Sequence, residues 1–269
     1  METPARHRDD GPIRSTLVAI GLAAFGILAS QFTVLPAVLL DPAVVTSPME
    51  ASITSRALLL TLNFVGFALA GGIYLAATDR GWSYVDLRTP TKRGWGYILA
   101  GVVGSFVFYV LVSLLVQLLS LPTADNSVSG FIGDDQTMVL VMIAIVFLFN
   151  APAEEFLFRN IVQKRLYDAF SRLQAVIIAS AIFALIHILS YAVSQSLLAT
   201  VVPVVIVFGG SIIFGLLYAK TDNLFVPIAA HAAFNAIQFG ILYIALEYDI
   251  ETAEPSTSLL VDLLAVVPL

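Results

Sequence analysis

Apolar residues along this chain fall into long blocks separated by short polar stretches. Runs of predominantly apolar residues occupy about 16–40, 57–78, 96–121, 138–158, 175–194, 199–219 and 224–246. A helix rises 1.5 Å per residue and a bilayer core is about 30 Å thick, so runs of about 20 residues are long enough to cross a membrane. In lipid every backbone N–H and C=O must be satisfied within the protein, which a helix does locally. The pattern therefore predicts an all-α fold, a polytopic transmembrane helical bundle of seven spans. The first run is too long for the apolar core of a signal peptide and is read as a retained helix. The polar stretches divide the chain into an N-terminal arm (1–15), a first group of spans (16–121), a core (138–246) and an acidic tail (247–269). Within that tail 259–269 is apolar but too short to span, and is expected at the interface or packed on the bundle as a short eighth segment. Gly66, Gly71 and Gly72 in span two, and Gly209, Gly210 and Gly215 in span six, are expected to let helices approach closely.

Composition agrees with lipid as the main solvent. Of 269 residues 59% are hydrophobic and 12% charged, and mean hydropathy is +0.93. A soluble domain carries about 25% charged residues, so this chain has roughly half the charge that water requires. A net charge of −6 argues against a nucleic-acid partner, which needs a dense basic face. With no cysteine, disulfides, thiol nucleophiles and Cys-ligated metals are excluded. The basic residues are not spread evenly. Counting Arg6, Arg8 and Arg14, then Arg80, Arg88, Lys92 and Arg93, then Arg159, Lys164, Arg165 and Arg172, and Lys220, twelve of the thirteen fall on one side of a seven-span topology. Arg56 alone falls on the other. By the positive-inside rule this places the N-terminus in the cytoplasm and the C-terminal tail outside, in a multi-pass cell-membrane protein. The segment from Asn160 to Phe170 continues span four and is expected to lie near the cytoplasmic interface.

Ionisable residues inside a span cost about 2.5–3.5 kcal/mol or more, so their positions are informative. They occur in three places. Span four ends Asn150-Ala151-Pro152-Ala153-Glu154-Glu155-Phe156-Leu157-Phe158-Arg159, span five contains Phe183 and His187, and span seven contains His231 and Asn235. Glu155 and Arg159 are spaced i,i+4 with the acid first, the better order for an ion pair on one helix face. His231 and Asn235 share the same spacing and one stripe. Glu154 is turned about 100° from Glu155 and is expected to face His187 on the next helix. Two adjacent carboxylates thus have two jobs: Glu155 is held ionised by Arg159, and Glu154, desolvated beside a like charge, is the proton acceptor. Measured from the run boundaries, Glu154 lies about 8 Å and His231 about 11 Å from the cytoplasmic surface, but His187 about 18 Å, which does not match. From these depths the site is expected toward the cytoplasmic side.

The three motifs, Glu-Glu-x-x-x-Arg, Phe-x-x-x-His and His-x-x-x-Asn, in order on separate spans, resemble those of the intramembrane glutamic endopeptidases. That family, CPBP, includes the type II CAAX prenyl proteases and the bacteriocin-processing Abi proteins. Phe214-Gly215-Leu216-Leu217-Tyr218 and Asn223-Leu224-Phe225-Val226-Pro227-Ile228 are also similar to it. The resemblance spans roughly 138–240, so spans four to seven would form the catalytic core. Asn160 departs from it, since many members have Gly after the motif arginine; the expected effect is on helix packing.

The resemblance implies hydrolysis of a peptide bond in a membrane-associated protein or peptide, prenylated or otherwise lipidated. Glu154 would take a proton from water that His187 helps to hold, and His231 and Asn235 would stabilise the oxyanion. Glu155 and Arg159 would orient the site, and Phe183 would pack or touch substrate. No cofactor is expected, although Glu154, Glu155, His187 and His231 also make a donor set that zinc accepts. Two readings compete: a proton-coupled transporter that relays protons through the same residues, and an inactive scaffold or immunity protein of the same fold.

Overall fold

The computed structural model describes residues 11–248 except 79, 125 and 192–195. Among these residues there is no strand, and the chain forms seven membrane-length helices: α1 (Pro12–Leu40), α2 (Ile53–Ala77), α3 (Lys92–Leu118), α4 (Gln136–Leu166), α5 (Arg172–Tyr191), α6 (Leu197–Thr221) and α7 (Phe225–Glu247). The protein is a multi-pass membrane protein built as a helical bundle. The expectation for 259–269 and most of the acidic tail lies outside the described residues. Polar residues at the ends of the apolar runs act as caps. Ser52, Thr91, Asp135 and Ser196 each accept a backbone N–H from the first turn of the following helix, and Ser171 with Gln174 forms a capping box. Outward-facing positions stay apolar, such as Leu99, Val103 and Leu111 along α3. Apolar exposure of this kind suits a lipid surrounding.

The helices close into a ring. α1 packs on α2, α2 on the first half of α4, that half on α7, α7 on α3, α3 on α6, α6 on α5, and α5 back on α1. Close helix approach is real at four of the six expected glycines. A Cβ on Gly66 would sit 2.3 Å from the Ser30 Cα of α1, and those on Gly71, Gly209 and Gly215 would meet Phe156, Phe108 and Gln163. Gly72 and Gly210 differ, since a Cβ at either meets nothing within 4 Å.

Span four leaves the ring wall halfway along. Its first half lies between α2 and α7, whereas Phe156–Gln163 runs among α1, α2, α5 and α6 and fills the middle of the bundle. The crossing is accompanied by two widened π-helical stretches, Val146–Asn150 and Phe156–Gln163, on either side of Ala151–Glu155. Pro152 lies between them and has no N–H to return to the preceding turn, which removes the bond that would hold a regular α-helix there. Widened turns of this kind recur at functional sites. This corrects the expectation that Asn160 onward lies near the interface: Arg159, Asn160 and Gln163 are fully buried. The segment is amphipathic because it faces protein on all sides and needs polar partners there.

Asn160 shows the effect of its departure from the family pattern. Its Oδ1 accepts the Asp86 N–H at 2.9 Å, fastening the 80–91 segment across the basic end of the ring. Asp86 also accepts from Lys164 Nζ at 2.7 Å and from the Tyr218 hydroxyl at 2.6 Å. Its backbone oxygen accepts the Leu224 N–H at 2.7 Å, which ties the start of α7 to this segment. At the opposite end 126–135 lies across the bundle. Arg56, the one basic residue on that side, donates to the Phe131 carbonyl and to Asp135, both at 2.7 Å. Ser127 N–H donates to the Ser190 carbonyl at 2.9 Å.

Candidate active site

Glu155 is wholly buried and both of its oxygens are taken. Arg159 Nε donates to Oε2 at 2.8 Å, and His231 Nδ1 is 2.9 Å from Oε1. Arg159 is equally buried, and its guanidinium lies 5.2 Å over the Phe183 ring, an attraction that supplements the ion pair. With its Nδ1–H donated to Glu155, His231 presents Nε2 as an acceptor on the other side of the ring. Asn235 Nδ2 fills that position at 3.1 Å and also donates to Asn150 Oδ1 at 3.1 Å. Phe214 stacks on the His231 ring, centroids 4.8 Å apart at 19°, and fixes its plane.

Glu154 is placed differently from its neighbour. Its carboxylate lines a cavity of about 360 Å³, together with His187, His231, Asn235 and Phe183. Its nearest basic group is His231 Nε2 at 4.0 Å. His187 sits where α5 tightens from α-helix into a 3-10 turn, and its Nδ1 lies 2.7 Å from the Phe183 carbonyl. That bond leaves Nε2 for the cavity. Phe183 separates His187 from Arg159, with the His187 ring 4.4 Å and the Phe158 ring 4.9 Å away. The three motifs therefore meet at one place. Glu154 and His187 share the cavity wall, although Glu154 approaches His231 and not only the next helix.

Counted from Leu166, Arg172 and Phe225, the basic ends of α4, α5 and α7, Glu154 lies about 18 Å, His187 about 22 Å and His231 about 9 Å along its helix. The three nevertheless line one cavity, so these helices do not run in step with one another. Among the described residues no group of three His, Asp or Glu side chains is placed to hold a metal ion.

Two contributors carry no role in the sequence reading. Asn150 and Phe214 stand in the motif-bearing stretches, but their functions depend on α7 packing beside them. Asn150 is a costly amide in an apolar run, and that signal was available; Phe214 stands in a stretch that carries the resemblance, but its stacking on His231 is a tertiary fact.

Compared with known families, residues 136–237 match the family described as type II CAAX prenyl endopeptidase Rce1-like. This segment holds all three motifs and bears out the resemblance they carry. No curated protein and no solved structure was found to match the chain.

Proposed function

Taking 136–237 as a domain of the type II CAAX prenyl endopeptidase Rce1-like family, we propose that this chain is an intramembrane endopeptidase using Glu154 as its general base. The observation that carries this reading is the division between the two carboxylates. Glu155 is consumed by Arg159 and His231, while Glu154 faces a cavity beside His187, His231 and Asn235. A base must reach a water, and of the two carboxylates only Glu154 faces the cavity.

The reaction follows from these positions. Glu154 accepts a proton from water held between it and His187, and the hydroxide oxygen bonds to the carbonyl carbon of the scissile peptide. Negative charge on the carbonyl oxygen is met by Asn235, whose amide gives up its resting bonds to Asn150 and His231. The C–N bond then breaks, and the proton on Glu154 passes to the leaving amine. Glu155 holds the His231 ring in place beside that oxygen. No step is routed through a metal or cofactor. The substrate is a membrane-associated protein, and prenylated or otherwise lipidated proteins belong to that class.

The test is reconstitution. Purified protein in liposomes, mixed with a membrane-protein extract from cells lacking it, is expected to create new peptide termini with and without a metal chelator. New termini that vanish on chelation, or that persist with Glu154→Gln, contradict the reading.

A further inference from the structure

The basic end of the bundle holds a cavity of its own. About 260 Å³ of space lies between the 88–91 stretch, the first turns of α3 and the turn that joins α6 to α7. Arg88, Arg93 and Lys220 line it, one from each of these elements, and among the described residues no carboxylate does. Pairing explains why these three cations are left over. The two carboxylates nearest to them in sequence are engaged elsewhere: Asp86 with Lys164 and the Tyr218 hydroxyl, Asp222 with Arg172. Arg165 pairs with Asp168, and Arg80 lies over the Tyr74 and Tyr84 rings. A bias of Lys and Arg toward one side of the membrane accounts for basic residues at this end, but not for the convergence of three without acidic partners on one cavity.

Neutral partners hold the cations in place. The Arg88 backbone N–H donates to Asn223 Oδ1 at 3.2 Å, and its guanidinium donates to the Asp222 carbonyl through one nitrogen. Arg93 lies 5.5 Å over the Tyr97 ring, with Nη2 donating to the hydroxyl at 3.1 Å. Each guanidinium has five N–H groups, so most remain for a ligand. Thr91 caps α3 by accepting the Gly94 N–H at 3.2 Å, which leaves its hydroxyl proton to donate. α3 and α7 both begin beside the cavity and add the positive ends of two helix dipoles; α6 ends there, with Lys220 in its last turn.

Depth and charge together select the ligand. Trp95, one turn into α3, is exposed and packs edge-on against Phe225 with centroids 6.0 Å apart. A tryptophan at the end of a membrane helix marks the headgroup level, so the group that meets this cavity in a bilayer is a lipid headgroup. Choline or ethanolamine would bring a further cation to a wall that has three and no carboxylate to receive it. A phosphate without an ammonium group fits, because guanidinium forks match its oxygens and a lysine adds a point charge. Basic pockets between membrane helices take anionic headgroups for these reasons.

We propose that this cavity binds the phosphate of an anionic phospholipid from the leaflet at the basic end, and that the bound lipid joins the start of α3 to the α6–α7 turn. The proposal is independent of the hydrolytic reading, since none of these residues takes part in it.

The test uses the full chain in neutral detergent, titrated with dioctanoyl phosphatidylglycerol, dioctanoyl phosphatidylcholine or inorganic phosphate. Native mass spectrometry counts the bound molecules, and the unfolding temperature is recorded for each. A first phosphatidylglycerol is expected to bind and to raise the unfolding temperature, while phosphatidylcholine does neither. Combining Arg93→Gln with Lys220→Gln, both at exposed positions, is expected to weaken phosphatidylglycerol about 30-fold, and either change alone about 5-fold, so the single variants decide the matter should the pair not fold. Lys92→Gln removes the same charge from the same end but outside the cavity, and is expected to leave binding unchanged. Equal binding of the two lipids, or an equal loss in Lys92→Gln, would overturn the site. Stabilisation by inorganic phosphate as strong as that by phosphatidylglycerol would overturn the lipid as the source and leave a soluble phosphate as the ligand.

Discussion

Glu154 ends in a cavity and Glu155 ends between Arg159 and His231, so equal substitutions at the two positions should have unequal effects. Glu154→Gln keeps the shape and removes the proton acceptor. Cleavage is expected to fall by about 10²–10⁴-fold while thermal unfolding in detergent stays close to wild type. Asn235→Ala should lower the rate by about 10²–10³-fold, the usual loss for an oxyanion donor, with binding less affected. Arg159→Met is a different experiment. It leaves Glu155 buried without its cation, which costs about 3–5 kcal/mol and should appear first as a lower unfolding temperature. The residue scale was where the sequence was most legible. Intramembrane charge is too costly to be incidental, and the motif spacing pointed at seven residues that the fold brings together. What spacing could not supply was the partner across the bundle: His231 binds Glu155 directly, and Asn150 and Phe214 acquire roles only when α7 is in place.

Among the elements, α4 is the one that makes the site. Hydropathy located it but ended it at 158, because the stretch beyond contains Asn160, Gln163, Lys164 and Arg165 and reads as surface. Asn160, Gln163 and Lys164 bind Asp86, Gly215 and Tyr84, contacts distant in sequence and invisible to a window average. Pro152 was the local hint that the helix could not remain regular. Close packing of α1 on α2 was legible in Gly66. Gly66→Ala drives a methyl into the Ser30 backbone, where nothing flexible can yield, and is expected to cost about 1–3 kcal/mol, measurable as a lower unfolding temperature. Gly72→Ala, which meets open space, is the matched control.

The segment above the cavity is expected to respond to acid. Desolvation works to raise the Asp135 pKa, but the Met138 N–H and the Arg56 guanidinium outweigh it and hold the carboxyl below the ordinary carboxylate range. A lowered folded value means the Arg56 tether is at full strength above the unfolded pKa and is lost as pH falls through the lowered one. Hydrogen exchange in 126–135 is expected to quicken on acidification below the carboxylate range, and Asp135→Asn should exchange quickly at neutral pH as well. Equal protection at all pH values would remove Asp135 from this role.

At the scale of the molecule, seven helices enclose a chamber, and part of one of them fills the middle of the bundle. The number of spans and their approximate limits were plain in the apolar runs, because lipid demands long uninterrupted blocks. The ring order was not, since α3 packs on α6 and α7 and not on its neighbour in sequence, and lipid-facing and protein-facing sides of such helices are almost equally apolar. The filled middle of the bundle also bears on the transporter reading. Alternating access needs a route to both sides of the site, and here Phe156–Gln163 occupies one of them. Proteoliposomes are therefore expected to show no Glu154-dependent uptake of protons, and such uptake would favour transport instead.

The central claim is that Glu154 hydrolyses a peptide bond in a membrane protein. Its most direct test is quantitative terminal proteomics of membrane fractions from cells carrying either wild type or Glu154→Gln at equal levels. At least one membrane protein is expected to accumulate uncut in the variant, with its cleaved terminus found only in wild type; identical termini in the two strains would contradict the account.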